Sequence, residues 1–137
     1  MSVNDVAPFT RSVPGLLLSV SAEGSAIVIV LRGEADLGTA PTLTDVLVDV
    51  IARQAGDVVV DLSQADFIDS ATVRVFARAG RFLAERDRRL TIRSPSRSAV
   101  RVLTIHDLFH LIEPAPSRHA DPSAVRIQHS TMKGMLP

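Results

Sequence analysis

The stretch Val58-Val59-Val60-Asp61-Leu62-Ser63, followed by Phe67-Ile68-Asp69-Ser70-Ala71-Thr72-Val73, decides the fold. Three consecutive valines mark a buried strand, because a parallel strand covered on both faces has no cause to alternate. After Ser70 the period changes. Val73, Phe76, Ala77, Gly80, Leu83 and Ala84 form an apolar stripe at helical spacing. A hydroxyl at such a strand-to-helix junction lies beside unpaired helix N–H groups and the positive end of the helix dipole. Two readings of the junction follow. Asp69 or Ser70 caps the helix, or Ser70 is placed where an added phosphate is electrostatically favoured.

The same alternation extends in both directions. Upstream, Leu16-Leu17-Leu18-Ser19-Val20 and Ala26-Ile27-Val28-Ile29-Val30-Leu31 are apolar runs separated by Glu23-Gly24, which suits a hairpin. Beyond Gly33, Leu43, Val46, Leu47, Val50 and Ile51 give a first helix, with Thr39 as its expected N-cap, Pro41 in its first turn and Gly56 closing it. Downstream, Leu90-Thr91-Ile92 is a short strand. Ser94-Pro95-Ser96 then turns the chain into a third helix through Ala99, Val100 and Leu103 that ends around His106-Asp107, and Leu111-Ile112 makes a last short strand. The expectation is an α/β fold, a mixed β-sheet with helices packed on it in the order β-β-α-β-α-β-α-β.

Proline positions set the expected boundaries. Of eight prolines, only Pro41 and Pro95 fall between Gly15 and Glu113. Residues 15–113 are therefore expected to fold, with 1–14 a flexible N-terminal segment and 114–137 a flexible tail. The chain has 137 residues, one domain's length, with 46% apolar and 22% charged residues, which supports a real core. Fifteen basic residues balance fifteen acidic ones, so no net field draws it to nucleic acid or anionic membrane. The absence of Trp and Tyr argues against a base-stacking platform. The absence of cysteine removes disulfides, thiolate metal sites and cysteine nucleophiles. No run approaches the ~20 apolar residues of a membrane span, and no signal-peptide pattern opens the chain. A soluble, cytoplasmic protein without membrane insertion is the expectation.

Three groups of residues could carry chemistry. Glu34, Asp36, Asp66 and Asp69 gather at one end of the expected sheet, where paired carboxylates could serve acid–base or metal chemistry. No phosphate-cradling glycine loop or recognised catalytic spacing accompanies them, and no histidine lies close in sequence. His106 and His110 stand at i, i+4, a metal-ligand spacing with no third ligand in sight. Neither a metal nor a cofactor is expected. Arg74, Arg78 and Arg81 stripe the polar face of the second helix, while Asp45 and Asp49 mark the first. Such stripes are ordinary solvated faces, or here a basic docking face in which Arg74, one turn after Ser70, could pair with a phosphate there.

In their order these features resemble the STAS domain of bacterial anti-sigma factor antagonists. The resemblance rests on Leu31-Arg32-Gly33-Glu34-Ala35-Asp36 with Ala40-Pro41-Thr42-Leu43, then Val58-Val59-Val60-Asp61-Leu62-Ser63. Phe67-Ile68-Asp69-Ser70 and Ser94-Pro95-Ser96 with Val100-Arg101-Val102-Leu103 complete it. It implies a switch and not an enzyme. The unmodified protein would bind an anti-sigma factor of the GHKL serine-kinase type and free a sigma factor. Phosphorylation of Ser70 would end binding, and a PP2C-type phosphatase would reset it. The implied partner-binding residues are Glu34, Asp36, Asp69, Ser70, Thr72, Arg74 and Arg78. The family commonly continues Asp-Ser-Ser/Thr-Gly-Leu, whereas this chain has Asp69-Ser70-Ala71-Thr72-Val73, which stiffens the junction and makes Thr72 a second, weaker candidate for modification. The same family supplies non-catalytic partner subunits of lipid-transport ATPase complexes, the alternative function. A small enzyme or ligand-binding domain built on Glu34, Asp36 and Asp69 is the reading from a different class.

Overall fold

The computed structural model describes residues 8–114. Five strands form one sheet: β1 (Phe9–Val13), β2 (Leu16–Glu23), β3 (Ala26–Ala35), β4 (Val58–Ile68) and β5 (Leu90–Arg93), in spatial order β1-β2-β3-β4-β5. The first three pair antiparallel, and β3-β4 and β4-β5 pair parallel. Helix α1 (Ala40–Arg53) connects β3 to β4, α2 (Ser70–Ala84) connects β4 to β5, and α3 (Arg97–Ile105) follows β5. The mixed α/β sheet expected from the sequence is present, in the order β-β-β-α-β-α-β-α.

The differences lie at the two ends. Phe9–Val13, expected to be part of a flexible segment, is a strand whose Val13 pairs with Leu16 across the two-residue turn Pro14-Gly15. Pro14 pre-sets one turn residue and Gly15, at φ +90°, supplies the positive φ that follows, so this proline makes a hairpin and not a boundary. The polar Thr10-Arg11-Ser12 centre suits an edge strand, and Phe9 and Val13 pack against the core. At the other end, Phe109–Leu111 is a 3-10 turn, and Ile112 makes a single parallel bridge to Ile92 in place of the expected strand. Glu113 N donates to Ile92 O at 2.8 Å, but Pro114 has no N–H with which to continue the ladder. The expected tail from residue 115 onward lies outside the described residues.

One core unites the elements. Alternate strand residues Leu16, Leu18, Val20, Ile27, Ile29, Leu31, Val58, Val60, Leu62, Leu90 and Ile92 meet Leu43, Val46, Leu47 and Val50 of α1, Val73, Phe76 and Leu83 of α2, and Ala99 and Leu103 of α3. Gly80 in mid-α2 leaves the space that Leu111 fills, 3.6 Å from where a Cβ would stand. On the opposite sheet face Arg93 bridges Glu113 at 2.9 Å and Glu23 at 3.0 Å. Those hydrogen bonds, Glu113 first, raise its pKa above the ordinary arginine value, so the guanidinium stays charged at every accessible pH.

Helix ends depart from the simple expectation. Gly56 does not close α1; the C-cap is Gln54, and Gly56 is glycine because any Cβ there would overlap the carbonyl oxygen of Ser25. The open carbonyls at that end are gathered by Arg88, which donates to Gln54 O at 2.6 Å, Gly56 O at 3.1 Å and Ile51 O at 3.3 Å. A cation is doubly suited there, as donor and as complement to the helix dipole. Arg88→Met should lower stability by about 1–2 kcal/mol, the scale of lost charge-assisted bonds to carbonyls that water partly re-solvates. Urea unfolding checks this, with Arg89→Met, whose side chain makes none of these bonds, staying near the parent.

Candidate functional site

The carboxyl ends of parallel strands are where open α/β sheets present their sites. Here β3 ends at Ala35 and β4 at Ile68, in register as Glu34↔Phe67 and Ala35↔Ile68. Two turns leave these ends, one into α1 and one into α2, and a single carboxylate ties them together. Asp69 is the N-cap of α2, where its Oδ1 accepts from Thr72 N and Thr72 Oγ1, each at 3.0 Å. Its Oδ2 accepts from Leu37 N at 3.0 Å, in the other turn. Asp69 N in turn donates to Ala35 O at 3.2 Å.

This settles which hydroxyl of the junction faces outward. Thr72 is fully buried, with its hydroxyl donated to Asp69, so it neither meets a partner nor accepts a phosphate while α2 is intact. The expectation for Thr72, both as second modification candidate and as partner-binding residue, is therefore corrected. Ser70 is exposed on the first turn of α2, and Asp69, not Ser70, is the cap.

Asp36 is half-buried and structural. Its Oδ1 accepts from Thr39 N at 3.1 Å, while Thr39 Oγ1 accepts from Asp36 N at 2.9 Å. Thr39 occupies the N-cap position of α1, but its hydroxyl turns back to Asp36 and makes no cap bond to the helix. Glu34 is exposed beside Phe67. Among the described residues no three His, Asp or Glu side chains cluster as metal ligands. Arg74 is exposed one turn from Ser70. Arg78 lies further along, on the rim of a groove of about 490 Å³ between α1 and α2 walled by Leu47, Ile51, Val75, Ala79 and Phe82.

Two features escaped the sequence. The first is a set of large apolar side chains left in solvent: Leu37 is 72% exposed, Phe67 51% and Ile105 73%. Leu37 is bonded through its N–H to Asp69, Phe67 is the penultimate residue of β4, and Ile105 is the last residue of α3. Large apolar side chains left in solvent are a common mark of protein-docking surfaces. The signal in sequence was faint, an apolar residue at a turn or helix end where polar ones are usual. The second is His106, whose Nε2 lies 3.0 Å from Ser70 Oγ. Counting along the chain places this histidine far from every carboxylate and hydroxyl of interest. The fold brings it to the one that matters.

A family model described as "Mlab, STAS domain" matches residues 18–113, and this chain belongs to the STAS domain family. No curated protein matches the sequence. Among solved structures, the anti-sigma factor antagonist SpoIIAA in its unphosphorylated form is 21% identical with a TM-score of 0.65, over 80% of this chain and 96% of that one. The Bacillus SpoIIAA in the phosphorylated form is 18% identical with a TM-score of 0.61, over 78% and 98%. An anti-sigma factor antagonist from Mycobacterium paratuberculosis is 22% identical with a TM-score of 0.63, over 92% and 99%. At such identities the likeness is one of fold. No helix among the described residues is long and apolar enough to cross a membrane.

Proposed function

We propose that this STAS domain is an anti-sigma factor antagonist. It binds an anti-sigma factor of the GHKL serine-kinase type through the face around Ser70, and so releases a sigma factor. Phosphorylation of Ser70 switches it off, and a PP2C-type phosphatase restores it. The observation that carries this reading is an exposed serine on the first turn of α2, next to the Asp69 cap that also anchors the turn bearing the exposed Leu37. Glu34 and Arg74 complete the face as polar rim, while Asp69 and Asp36 hold its loops in shape. Two of the most similar folds, the two forms of SpoIIAA, differ by phosphorylation, which supports a modified residue on this scaffold.

The physics of the switch is local. A phosphate adds about −1.5 to −2 charges, and desolvating them against apolar surface is costly. A penalty of about 3 kcal/mol weakens a complex on the order of 100-fold. The test is incubation with the GHKL-type kinase from the same genome and ATP, followed by intact mass and site mapping. One phosphate on Ser70, absent in Ser70→Ala, is the expected result. Ser70→Asp should bind that kinase on the order of 10-fold more weakly by calorimetry, since one charge is a partial mimic of two. A complex without phosphate transfer makes the protein a constitutive antagonist. Absence of any complex, with co-purification of an ATPase that tolerates Ser70→Asp, makes it instead a lipid-transport partner.

A further inference from the structure

The pair formed by Ser70 and His106 joins two helix ends of opposite polarity. Ser70 is the first residue of α2, where N–H groups point outward, and His106 is the C-cap of α3, where carbonyls do. His106 is fixed by the way α3 stops. Asp107 takes the left-handed conformation at φ +64°, Asp107 N donates to Thr104 O at 3.0 Å, and Leu108 N donates to Leu103 O at 2.8 Å. This is a Schellman turn with aspartate where glycine is usual, and Leu108 packs on the core to hold it. The imidazole is thereby carried to the α2 junction with its Nε2 3.0 Å from Ser70 Oγ.

We propose that His106 holds the phosphoryl group when Ser70 is phosphorylated, its imidazolium Nε2–H donating to a phosphate oxygen. This rests on Ser70 as the modified residue and names the side chain that receives the modification. Three considerations converge. The ring already contacts the atom that would carry the phosphate. Imidazolium is favoured at a helix C-terminus, and phosphate at a helix N-terminus. A dianion within a few ångströms stabilises the charged ring and is stabilised by it. The other charged groups carried by the surrounding elements are the cap Asp69 with Arg74, Arg78 and Arg81 on α2, Arg97 and Arg101 on α3 with Asp107 just after it, and Glu34 and Asp36 at the end of β3. Both oxygens of Asp69 are occupied by Leu37 N, Thr72 N and Thr72 Oγ1. Arg74 reaches the same region from one turn further along α2, without a bonded partner among the described residues. The phosphate held by His106 would lie between the start of α2 and the end of α3, so the clamp fixes the charge on the surface that the proposed function gives to the partner.

The experiment uses the full chain with phosphoserine incorporated at position 70 during translation, so no kinase is needed. Imidazole ring ¹⁵N resonances are recorded with and without the phosphate, His106 being assigned by its loss in His106→Gln. The His106 Nε2 resonance should move on phosphorylation, as the ring N–H takes a charge-assisted hydrogen bond to the phosphate. Reciprocally, the ³¹P titration midpoint of phosphoserine should be lower in the parent than in His106→Gln, and His106→Arg should restore the low midpoint. Arg74→Gln should leave the His106 shift in place. An unchanged His106 ring spectrum, or identical ³¹P midpoints in parent and His106→Gln, overturns the clamp. Failure of a kinase to modify Ser70 would sink the switch reading alone, because these titrations do not depend on it.

Discussion

Gly33→Ala should unfold at markedly lower urea than the parent, with a loss of about 3 kcal/mol or more and a fall in Tm of about 12 °C or more for an ordered domain of this size. Gly33 sits in β3 at φ +108°, a backbone conformation that side chains rarely adopt. A Cβ there would overlap the carbonyl oxygen of Gly15, in the turn between β1 and β2. That carbonyl cannot simply retreat, because it accepts the N–H of Glu34 at 2.8 Å. Alanine therefore adds backbone strain and also forces the Pro14-Gly15 hairpin away from β3. The register of β3 against β4 shifts between Gly33 and Glu34, so displacement at this point carries into the strand ends that bear Glu34 and Phe67. Gly38→Ala is the control. Its φ is not positive and its nearest neighbour, Asp36 Oδ1, stands at an ordinary 3.4 Å, so a change within about 0.5 kcal/mol is expected.

Asp69→Ala should cost about 2–4 kcal/mol and abolish partner binding beyond what the stability loss explains. It removes the N-cap of α2, a loss of about 1 kcal/mol alone, and leaves the fully buried Thr72 hydroxyl without its acceptor, which adds about 1–3 kcal/mol. It also frees Leu37 N, so the turn that carries the exposed Leu37 loses its anchor to the α2 junction. Asp69→Asn keeps an acceptor oxygen toward Thr72 and should be milder. Adding Thr72→Val to Asp69→Ala should restore about 1 kcal/mol, because it deletes the orphaned hydroxyl while keeping the shape. Hydrogen exchange at the Leu37 amide separates the loop effect from the helix effect: it should accelerate in Asp69→Ala and stay fast in the double variant.

The amino-acid pattern alone was enough to place the valine strand, the three helical stripes and the Glu23-Gly24 hairpin, because hydrophobic period and turn chemistry act over a few neighbouring residues. It was also enough to put Asp69 and Ser70 at a strand-to-helix junction. It misjudged Phe9–Val13, since a five-residue edge strand with a polar centre between two prolines carries no period of its own and exists only by pairing with β2. Leu111-Ile112 failed for the converse reason: an apolar pair looks like a strand, but the proline two residues on leaves room for one bridge.

What the tertiary structure decided is the character of the site. The buried Thr72 and the exposed Ser70 are two residues apart and chemically similar, and only the packing of α2 on the sheet separates them. His106 and Ser70 are 36 residues apart, as Asp69 and Leu37 are 32, and no local rule relates them. Their meeting depends on the stagger of parallel strands and on the angle at which α3 ends in its aspartate turn. The sequence by itself thus determined where the three helices and the strands between Leu16 and Ile92 run, and that a serine stands at the start of α2. Which side chains surround that serine was left to the packing of segments distant in the chain, because contacts between them are set by register and burial and leave no periodic trace in either segment.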